Sequence, residues 1–198
     1  MKLVITRAFE VRILSSSLRS SAKISMPNIF LISDLHLGHT NILGFTNQDG
    51  SLLRPGFANI DEHDTFVIDS INKTVRPEDR LVIVGDCVMN KKNMFMLNRI
   101  KGIKTLVMGN HDPTDPEYLT PYFAKISGTL QLDQFIVTHI PVHTSQLEYR
   151  FKGNIHGHLH GHPALEKFGK ADTRYFNVSV ESLKYTPISL EEIKKQVP

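Results

Sequence analysis

The 198-residue sequence has a single cysteine, Cys87, and no apolar run that approaches the length of a membrane span. One cysteine excludes an intrachain disulfide framework and is typical of a reducing compartment, so we expect a cytoplasmic protein. A transmembrane helix needs about 20 consecutive apolar residues, so no membrane partner is expected. The sequence also lacks internal repeats and low-complexity blocks.

Outside its first 25 residues the sequence has almost no excess of charge. The formal net charge of the whole chain is +3. Residues 1–25 carry five basic side chains and one acidic side chain, a local charge of +4, which leaves −1 for the remainder. A body this close to neutral argues against a broad nucleic-acid interface, and genomic DNA is not an expected partner.

Residues 1–25 are basic, rich in serine and poor in acids, and they precede Met26. Three interpretations are open: extra translation upstream of Met26, a targeting leader, or an additional edge strand made from residues 3–5 and 11–14. The first is favoured. Residues 26–198 are long enough to form one domain with a sizeable core.

Short apolar runs alternate with helical patterns along this domain. The runs that predict strands are 28–33, 80–84, 105–108, 135–138 and 175–180. Apolar residues at helical spacing predict helices over 59–75, capped by Asn59 or Asp61, and over 91–101. The Ser-Leu-Glu-Glu sequence starting at Ser189 fits a capping box of a short terminal helix. Such alternation predicts an α/β fold.

Side chains that can bind metals follow four of the predicted strands, at the point where each strand ends. They are Asp34 and His36, then Asp86, then Asn110 with His111 and Asp112, and finally His139. Asp34 and His36 are two residues apart in an extended segment, so both can face one cation. His158 and His160 repeat that spacing between glycines, so they can face one site or bind two adjacent metals. Because α/β folds bind ligands at the carboxyl ends of their strands, these residues predict a metal site.

In chain order, the motifs D-x-H, G-D, G-N-H-D, a lone His and G-H-x-H resemble those of the calcineurin-like metallophosphoesterase superfamily. The resemblance runs from about Met26 to the C-terminus. The segments SDLHLGHTNI and FNVSVESLKYTPISLEEI are most similar to small, single-domain bacterial and phage members. This resemblance implies a four-layer α/β/β/α sandwich of two mixed β-sheets flanked by helices. It also implies a metal-dependent phosphoric ester hydrolase.

The resemblance further implies a site for two divalent metal ions. The first would be held by Asp34, His36 and His160, the second by Asn110, His139 and His158, and Asp86 would bridge both. A bridging hydroxide would attack a phosphomonoester or phosphodiester, with His111 as general acid and Asp112 orienting His111. Mixed nitrogen and oxygen ligands favour Mn²⁺ over Mg²⁺, with Fe, Zn²⁺, Ni²⁺ and Co²⁺ as alternatives.

Two loop residues, His39 and Arg54, are candidate substrate contacts. Each has a simpler interpretation, because loop histidines and arginines are commonly only solvated. His63 and the neighbouring acids are assigned to the solvated face of the first predicted helix. The expected partner is a small phosphorylated compound, with nucleotides among the candidates, and the oligomeric state is left open.

Other superfamily members supply the competing interpretations. Pyrophosphohydrolases of the lipid A pathway typically carry G-N-R-D where this chain has Gly109-Asn110-His111-Asp112, which argues against that activity. The retromer subunit of the same fold is a protein-binding scaffold that has lost part of the catalytic set. Because this chain retains the whole set, including His111, a non-catalytic metal-binding scaffold is the alternative and not the main hypothesis.

Overall fold

The computed structural model describes residues 26–162, 166–167 and 170–196. The interpretations of residues 1–25 therefore fall outside the described residues. Within those ranges no helix combines the length and the apolar character that a membrane span requires. The chain forms two mixed sheets, a short separate hairpin and few helices, so the predicted α/β sandwich is confirmed.

The first sheet has five strands, of which four are parallel. They are β1 (Ile29–Ile32), β2 (Arg80–Ile83), β3 (Ile103–Val107), β4 (Lys125–Ser127) and β11 (Ile188–Ser189). Their order is β11-β1-β2-β3-β4, and only β11 runs antiparallel to its neighbour. The carboxyl ends of β1, β2 and β3 consequently lie side by side at one edge.

The second sheet has four strands. They are β5 (Leu130–Leu132), β6 (Phe135–Val137), β7 (Gly153–His156) and β10 (Tyr175–Asn177), in the order β10-β7-β6-β5. β6, β7 and β10 are parallel, and β5 forms an antiparallel hairpin with β6. A separate hairpin joins β8 (Glu166–Lys167) and β9 (Lys170–Ala171).

The two sheets meet where Ser33, just after β1, forms a parallel bridge with Ser179, just after β10. The Ser33 N–H donates to Val178 O at 2.8 Å, and Val180 N–H donates back to Ser33 O at 3.1 Å. This junction lies at the carboxyl ends of both strands. It therefore brings the residues that follow the strands of one sheet next to those that follow the strands of the other.

Alternate residues of the first sheet face two apolar layers, as the pleat of a strand requires. On one face Ile32, Leu81 and Ile83 pack with residues of helix α1 (Ile60–Thr74) and of the 3₁₀ helix Lys91–Arg99. On the other face Leu31, Val82, Val84 and Val107 pack against Phe135, Val137 and Ile155 of the second sheet. The short helix α2 (Leu190–Lys194) closes this inter-sheet layer.

The outer face of the second sheet is covered by the segment after β6. Asn154 Oδ1 accepts from Val142 N–H at 3.0 Å, and the Tyr175 hydroxyl donates to Val142 O at 2.7 Å. This segment contains the short 3₁₀ helix Thr144–Leu147. Two further short 3₁₀ helices lie at Thr40–Gly44 and Pro116–Tyr118.

Several local predictions are confirmed and two need correction. Asn59 caps α1 by accepting from Glu62 N–H, and Ser189 with Glu192 forms the expected capping box. The predicted helix over 91–101 consists of 3₁₀ turns and ends at Arg99. Residues 113–133, where no strand is predicted, contain β4 and β5. Strands of three residues are too short to show a period in the sequence.

Asp79 fixes the start of β2, and we expect its replacement to destabilise the fold. Its fully buried carboxylate accepts from Asn28 N–H at 2.9 Å, from Arg76 N–H at 2.9 Å and from the Arg76 guanidinium at 2.8 Å. Asp79→Asn should lower the free energy of unfolding by about 1–3 kcal/mol at neutral pH, measured by urea denaturation.

The loss should depend on pH in a defined direction. The Arg76 side chain and the backbone donors hold the pKa of Asp79 well below its ordinary value. Such a group stabilises the fold above the unfolded pKa of about 3.9, and the contribution disappears as the pH falls through the folded value. The difference between wild type and Asp79→Asn should therefore shrink below about pH 4. A difference that grows on acidification contradicts this account.

Candidate metal centre

The seven predicted metal ligands come together where the carboxyl ends of strands from both sheets meet. Their source elements are the turns after β1, β2 and β3 in the first sheet and after β6 and β7 in the second. The ligand set is Asp34, His36, Asp86, Asn110, His139, His158 and His160. Among the described residues, two groups of side chains have ligand atoms within 4.8 Å of one another: Asp34 with His36 and His160, and Asp34 with Asp86 and His139.

Asp86 lies at the centre of this cluster. Its Oδ2 is 3.3 Å from His139 Nε2 and 3.7 Å from His36 Nε2. Its Oδ1 accepts from the backbone N–H of His111 at 2.9 Å, which fixes the orientation of the carboxylate. Burial raises the pKa of Asp86, but the His139 hydrogen bond and nearby positive charge outweigh that effect and lower it to about 2. One carboxylate oxygen therefore faces both of the histidines assigned to different metals.

His139 presents its Nε2 to the cluster because its other nitrogen is engaged. Nδ1 lies 2.8 Å from Val84 O, so Nδ1 carries the proton and donates it to that carbonyl. Nε2 lies 3.0 Å from Asn110 Oδ1 as well as close to Asp86. Burial lowers the pKa of His139, but the Asp86 hydrogen bond and the charges of Asp34 and Asp86 raise it to about 8. Acceptors this close to Nε2 require a proton or a cation between them.

His36 is the clearest sign that the donor set fits a cation. Its Nε2 is buried, has no hydrogen-bond partner in the described part of the chain, and lies 4.0 Å from Asp34 Oδ1. A buried polar atom without a partner is costly unless something else satisfies it. Burial lowers the pKa of His36 to about 3, which keeps the ring neutral and its lone pair available. A divalent cation among these atoms would satisfy it.

Asp34 is held by short contacts from both sheets. Its Oδ2 accepts from Ser33 Oγ at 2.6 Å and from His158 N–H at 3.0 Å. Burial raises the pKa of this carboxyl above its ordinary value. Because His158 follows β7 and Asp34 follows β1, this backbone contact ties the second sheet's ligand turn to that of the first.

Five of the seven predicted ligand residues have left-handed backbone conformations. Their φ angles are 58° for Asp34, 50° for His36, 53° for Asp86, 69° for His158 and 51° for His160. This region is uncommon for residues with a side chain, and each such residue costs about 1–3 kcal/mol. Strain of this kind is typical of functional sites, where it aims side chains that an extended strand would point elsewhere.

Two motif glycines allow the close backbone approach that the cluster needs. A Cβ on Gly109 would collide with Asp86 Oδ1 and with the Asp86 backbone nitrogen. A Cβ on Gly157 would lie 2.5 Å from both Asp34 Oδ2 and Ser33 Oγ. Any larger residue at either position would displace a carboxylate of the cluster.

Asn110 and His111 lie at the exposed rim of the site, whereas Asp34, His36, Asp86 and His139 are buried. The His111 ring is 5.9 Å from that of His36 between centroids. His39, a predicted substrate contact, also lies at this rim, with its Nδ1 3.3 Å from His36 Nδ1. The His158 ring packs edge-on against His139 at 5.2 Å, and the His160 ring stacks on His36 at 5.4 Å.

Asp112 connects the turns after β2 and β3. Its carboxylate accepts from the backbone N–H groups of Asp86 at 3.0 Å, Cys87 at 2.9 Å and Gly109 at 2.8 Å, and from Cys87 Sγ at 3.0 Å. Both oxygens are thereby engaged. No hydrogen bond joins Asp112 to the His111 ring among the residues described, so the expected orienting role has no contact to support it.

Comparison with known proteins identifies a family. The chain is 32% identical over 179 residues to the uncharacterised protein MJ1445 of Methanocaldococcus jannaschii, covering 87% of this chain and 93% of that protein. The chain belongs to the MJ1445 family. No protein-family model matches the sequence.

Two solved structures are similar to this MJ1445-family chain. A protein of unknown function, AQ665 from Aquifex aeolicus, superposes with a TM-score of 0.64 at 26% identity, over 85% of this chain and 98% of that one. An archaeal phosphodiesterase gives a TM-score of 0.43 at 17% identity, over 76% of this chain and 82% of that one. A similarity as low as the second carries no argument about fold or activity.

Arg54 lies beneath the candidate metal centre and is not placed to contact a substrate. It is 1% exposed. An arginine has three side-chain nitrogens that carry N–H donors, and here all three nitrogens are engaged within the fold. Nε and Nη2 lie 2.8 and 2.7 Å from Glu181 Oε1. Nη1 lies 3.1 Å from Leu35 O and 2.9 Å from His63 Nε2. Nη2 also donates to Asp34 O at 2.6 Å. The expectation of a substrate contact therefore needs correction, because the side chain is buried and its guanidinium is engaged within the fold.

His63 is also buried, contrary to its assignment to a solvated helix face. Its Nε2 accepts from Arg54, so Nδ1 carries the proton and donates to Asp64 Oδ1 at 2.9 Å. Asp64 Oδ2 in turn accepts from Gly38 N–H at 2.8 Å. The apolar spacing of α1 already contained the signal, because His63 falls on the same helix face as Val67 and Ile71.

Glu181 is a site residue that motif reasoning missed. It is 8% exposed in its side chain, and its Oε1 lies 3.0 Å from His160 Nδ1 as well as against Arg54. It follows β10 within the segment FNVSVESLKY, so the sequence shows that it lies just after a predicted strand. Its partners lie 21 and 127 residues away, and no local pattern indicates them.

We predict that Arg54→Met is a stability variant and not a binding variant. Removing the guanidinium leaves the buried Glu181 carboxylate with only its His160 contact and no cationic partner, and breaking a buried pair in this way costs about 3–5 kcal/mol. The measurement is the free energy of unfolding by denaturant, with the exposed Arg99→Met as control. Unchanged stability together with a raised KM for a phosphate ester would restore the substrate-contact interpretation.

Proposed function

We propose that this protein is a dinuclear-metal-dependent phosphoesterase of the calcineurin-like metallophosphoesterase superfamily. The observation that carries the proposal is the position of Asp86 Oδ2, 3.3 Å from His139 Nε2 and 3.7 Å from His36 Nε2. A carboxylate oxygen placed between histidines of two ligand groups is what a bridging ligand requires. The unpartnered Nε2 of buried His36 supports the same interpretation.

The donor set fits two divalent cations, with Mn²⁺ as the first candidate. One site would use Asp34, His36 and His160, the other Asn110, His139 and His158, and Asp86 would serve both. Imidazole nitrogens combined with carboxylate and amide oxygens suit Mn²⁺, Fe or Zn²⁺ better than Mg²⁺. Bound there, the cations would offset the charge of a phosphate ester and lower the pKa of water.

His111 would supply the proton that the leaving group needs. Its backbone N–H is fixed to Asp86 Oδ1 at 2.9 Å, and its ring lies at the exposed rim beside His36. An alkoxide is a poor leaving group, so transfer of a proton from the His111 imidazole to the departing ester oxygen would accelerate bond cleavage. His39, at the same rim, is in position to contact the phosphate or its substituent.

Two cavities beside the cluster favour a phosphodiester over a monoester. One has a volume of about 420 Å³ and lies against His160, with Phe45, Leu53 and His162 in its wall. The other, of about 330 Å³, lies against His139 and Asn110, with Ile140 in its wall. A phosphate centred on the cluster could place one organic substituent in each cavity, whereas a monoester would fill only one.

Metal loading should produce hydrolysis that depends on Asp86. We expect the full chain to bind two Mn²⁺ ions, measured by elemental analysis. It should then hydrolyse bis(4-nitrophenyl) phosphate faster than 4-nitrophenyl phosphate. Asp86→Asn should lower the rate by about 100-fold or more, because it weakens the ligand shared by both cations.

The exposed His143→Ala variant is the matched control, since it removes a histidine outside the cluster and should keep wild-type activity. A fully metal-loaded wild type that hydrolyses neither ester, nor phosphorylated metabolites and cyclic nucleotides, would favour the non-catalytic scaffold. A faster reaction with the monoester would overturn the diester preference alone.

The role of His111 can be separated from metal binding by varying the leaving group. His111→Ala should reduce kcat/KM by about 10²–10⁴ for a diester with an alkyl leaving group, which needs a proton. The loss should be much smaller for a 4-nitrophenyl leaving group, which departs as a stable anion. Equal losses with both substrates would contradict a general-acid role.

A further inference from the structure

Glu181 lies outside the ligand set but contacts one of its members directly. Its Oε1 is 3.0 Å from His160 Nδ1. The same oxygen accepts from Arg54 Nε at 2.8 Å and lies 2.7 Å from Arg54 Nη2. The side chain of Glu181 is 8% exposed, so solvent competes little with these contacts.

The contact determines which nitrogen of His160 carries the proton. An ionised carboxylate only accepts hydrogen bonds, so Nδ1 must be the donor. In a neutral ring the lone pair then resides on Nε2, which leaves that nitrogen as the ligand atom. A ring with the proton on Nε2 would have no lone pair there and could not bind a cation through it.

Arg54 keeps Glu181 in the state that this contact requires. The Nε and Nη2 atoms of the guanidinium lie 2.8 and 2.7 Å from Glu181 Oε1, so a fixed positive charge faces the carboxylate and favours its ionised form. Arg54 also holds the carbonyls of Asp34 and Leu35, at 2.6 and 3.1 Å. One guanidinium thus fixes both the carboxylate behind His160 and the backbone that carries Asp34.

The network continues into helix α1. Arg54 Nη1 donates to His63 Nε2 at 2.9 Å, and His63 Nδ1 donates to Asp64 Oδ1 at 2.9 Å. Asp64 Oδ2 accepts from Gly38 N–H at 2.8 Å, at the end of the loop that carries His36. The loop 34–38 is therefore held at its start by Arg54, which Glu181 and His63 contact, and at its end by Asp64 of helix α1.

We propose that Glu181, held in place by Arg54, is a positioning residue that fixes the Nδ1–H form of His160 and so makes its Nε2 a metal ligand. This role for Glu181 rests on the proposed function, in which His160 binds a metal ion. A carboxylate behind a ligating histidine raises the basicity of the ring and sets its orientation, and its loss typically costs 10–100-fold in metal affinity.

The decisive measurement uses the metal-free full chain. Long-range ¹H–¹⁵N spectra of the ¹⁵N-labelled protein in alkaline buffer, with His160 signals identified from His160→Gln, report which ring nitrogen carries the proton. We expect Nδ1–H in the wild type and in Glu181→Gln, whose amide oxygen can still accept. Glu181→Ala should shift His160 towards the Nε2–H form.

Two results would overturn the proposal. One is a wild-type His160 with its proton on Nε2, which decides the matter even if Glu181→Ala fails to fold. The other is a folded Glu181→Ala protein that keeps the Nδ1–H form, which would make Glu181 a purely structural partner of Arg54.

Metal affinity provides a second readout that does not depend on hydrolysis. Calorimetric titration with Mn²⁺ should show 10–100-fold weaker binding in Glu181→Ala. The exposed Glu117→Ala is the matched control and should bind like wild type. Unchanged affinity in Glu181→Ala would overturn the proposal. An absence of phosphoesterase activity would leave both readouts intact, so the two proposals fail separately.

Discussion

The site depends on holding several polar atoms that can bind cations within a few ångströms of one another, in a buried place. Asp86 Oδ2 faces the Nε2 atoms of His36 and His139 at 3.7 and 3.3 Å. Desolvating such groups costs several kcal/mol each, and left-handed backbone at five ligand residues adds about 1–3 kcal/mol apiece. Bound cations would satisfy these buried atoms, so metal binding would be linked to folding stability in this arrangement.

The fold offsets part of this cost with backbone hydrogen bonds that come from outside each ligand's own turn. Asp34 accepts from His158 N–H, and Asp86 accepts from His111 N–H. Asp112 adds two backbone bonds that join the turns after β2 and β3, and a third within its own turn. The Ser33–Ser179 bridge joins the two sheets in the same way. Each ligand turn is therefore held by another one, which is how a strained geometry persists.

The sequence allowed prediction of the parts that obey local rules. Strands that end in a glycine or a polar pair were recognisable, because the period of a strand and the position of its exit are both local. The predictions for Arg54 and His63, as a substrate contact and a solvated residue, were wrong, and Glu181 was not predicted at all. Their roles come from one buried network whose members are 9 to 127 residues apart. A charged residue in a loop has no local feature that distinguishes a buried partner from a solvated side chain.

The turn from Gly109 to Asp112 connects the exposed rim of the site to its buried residues. Asn110 Oδ1 contacts His139, and the His111 N–H donates to the central carboxylate of Asp86. Asp112 accepts from the Gly109 N–H in its own turn and from the Asp86 N–H in the turn after β2. The exposed imidazole of His111 is thus carried by a backbone fixed at several points. In the proposed reaction, the distance from the proton donor to the buried ligands is set by this rigid turn, with only the ring left to rotate. Such preorganisation means that the donor needs little rearrangement when a substrate arrives.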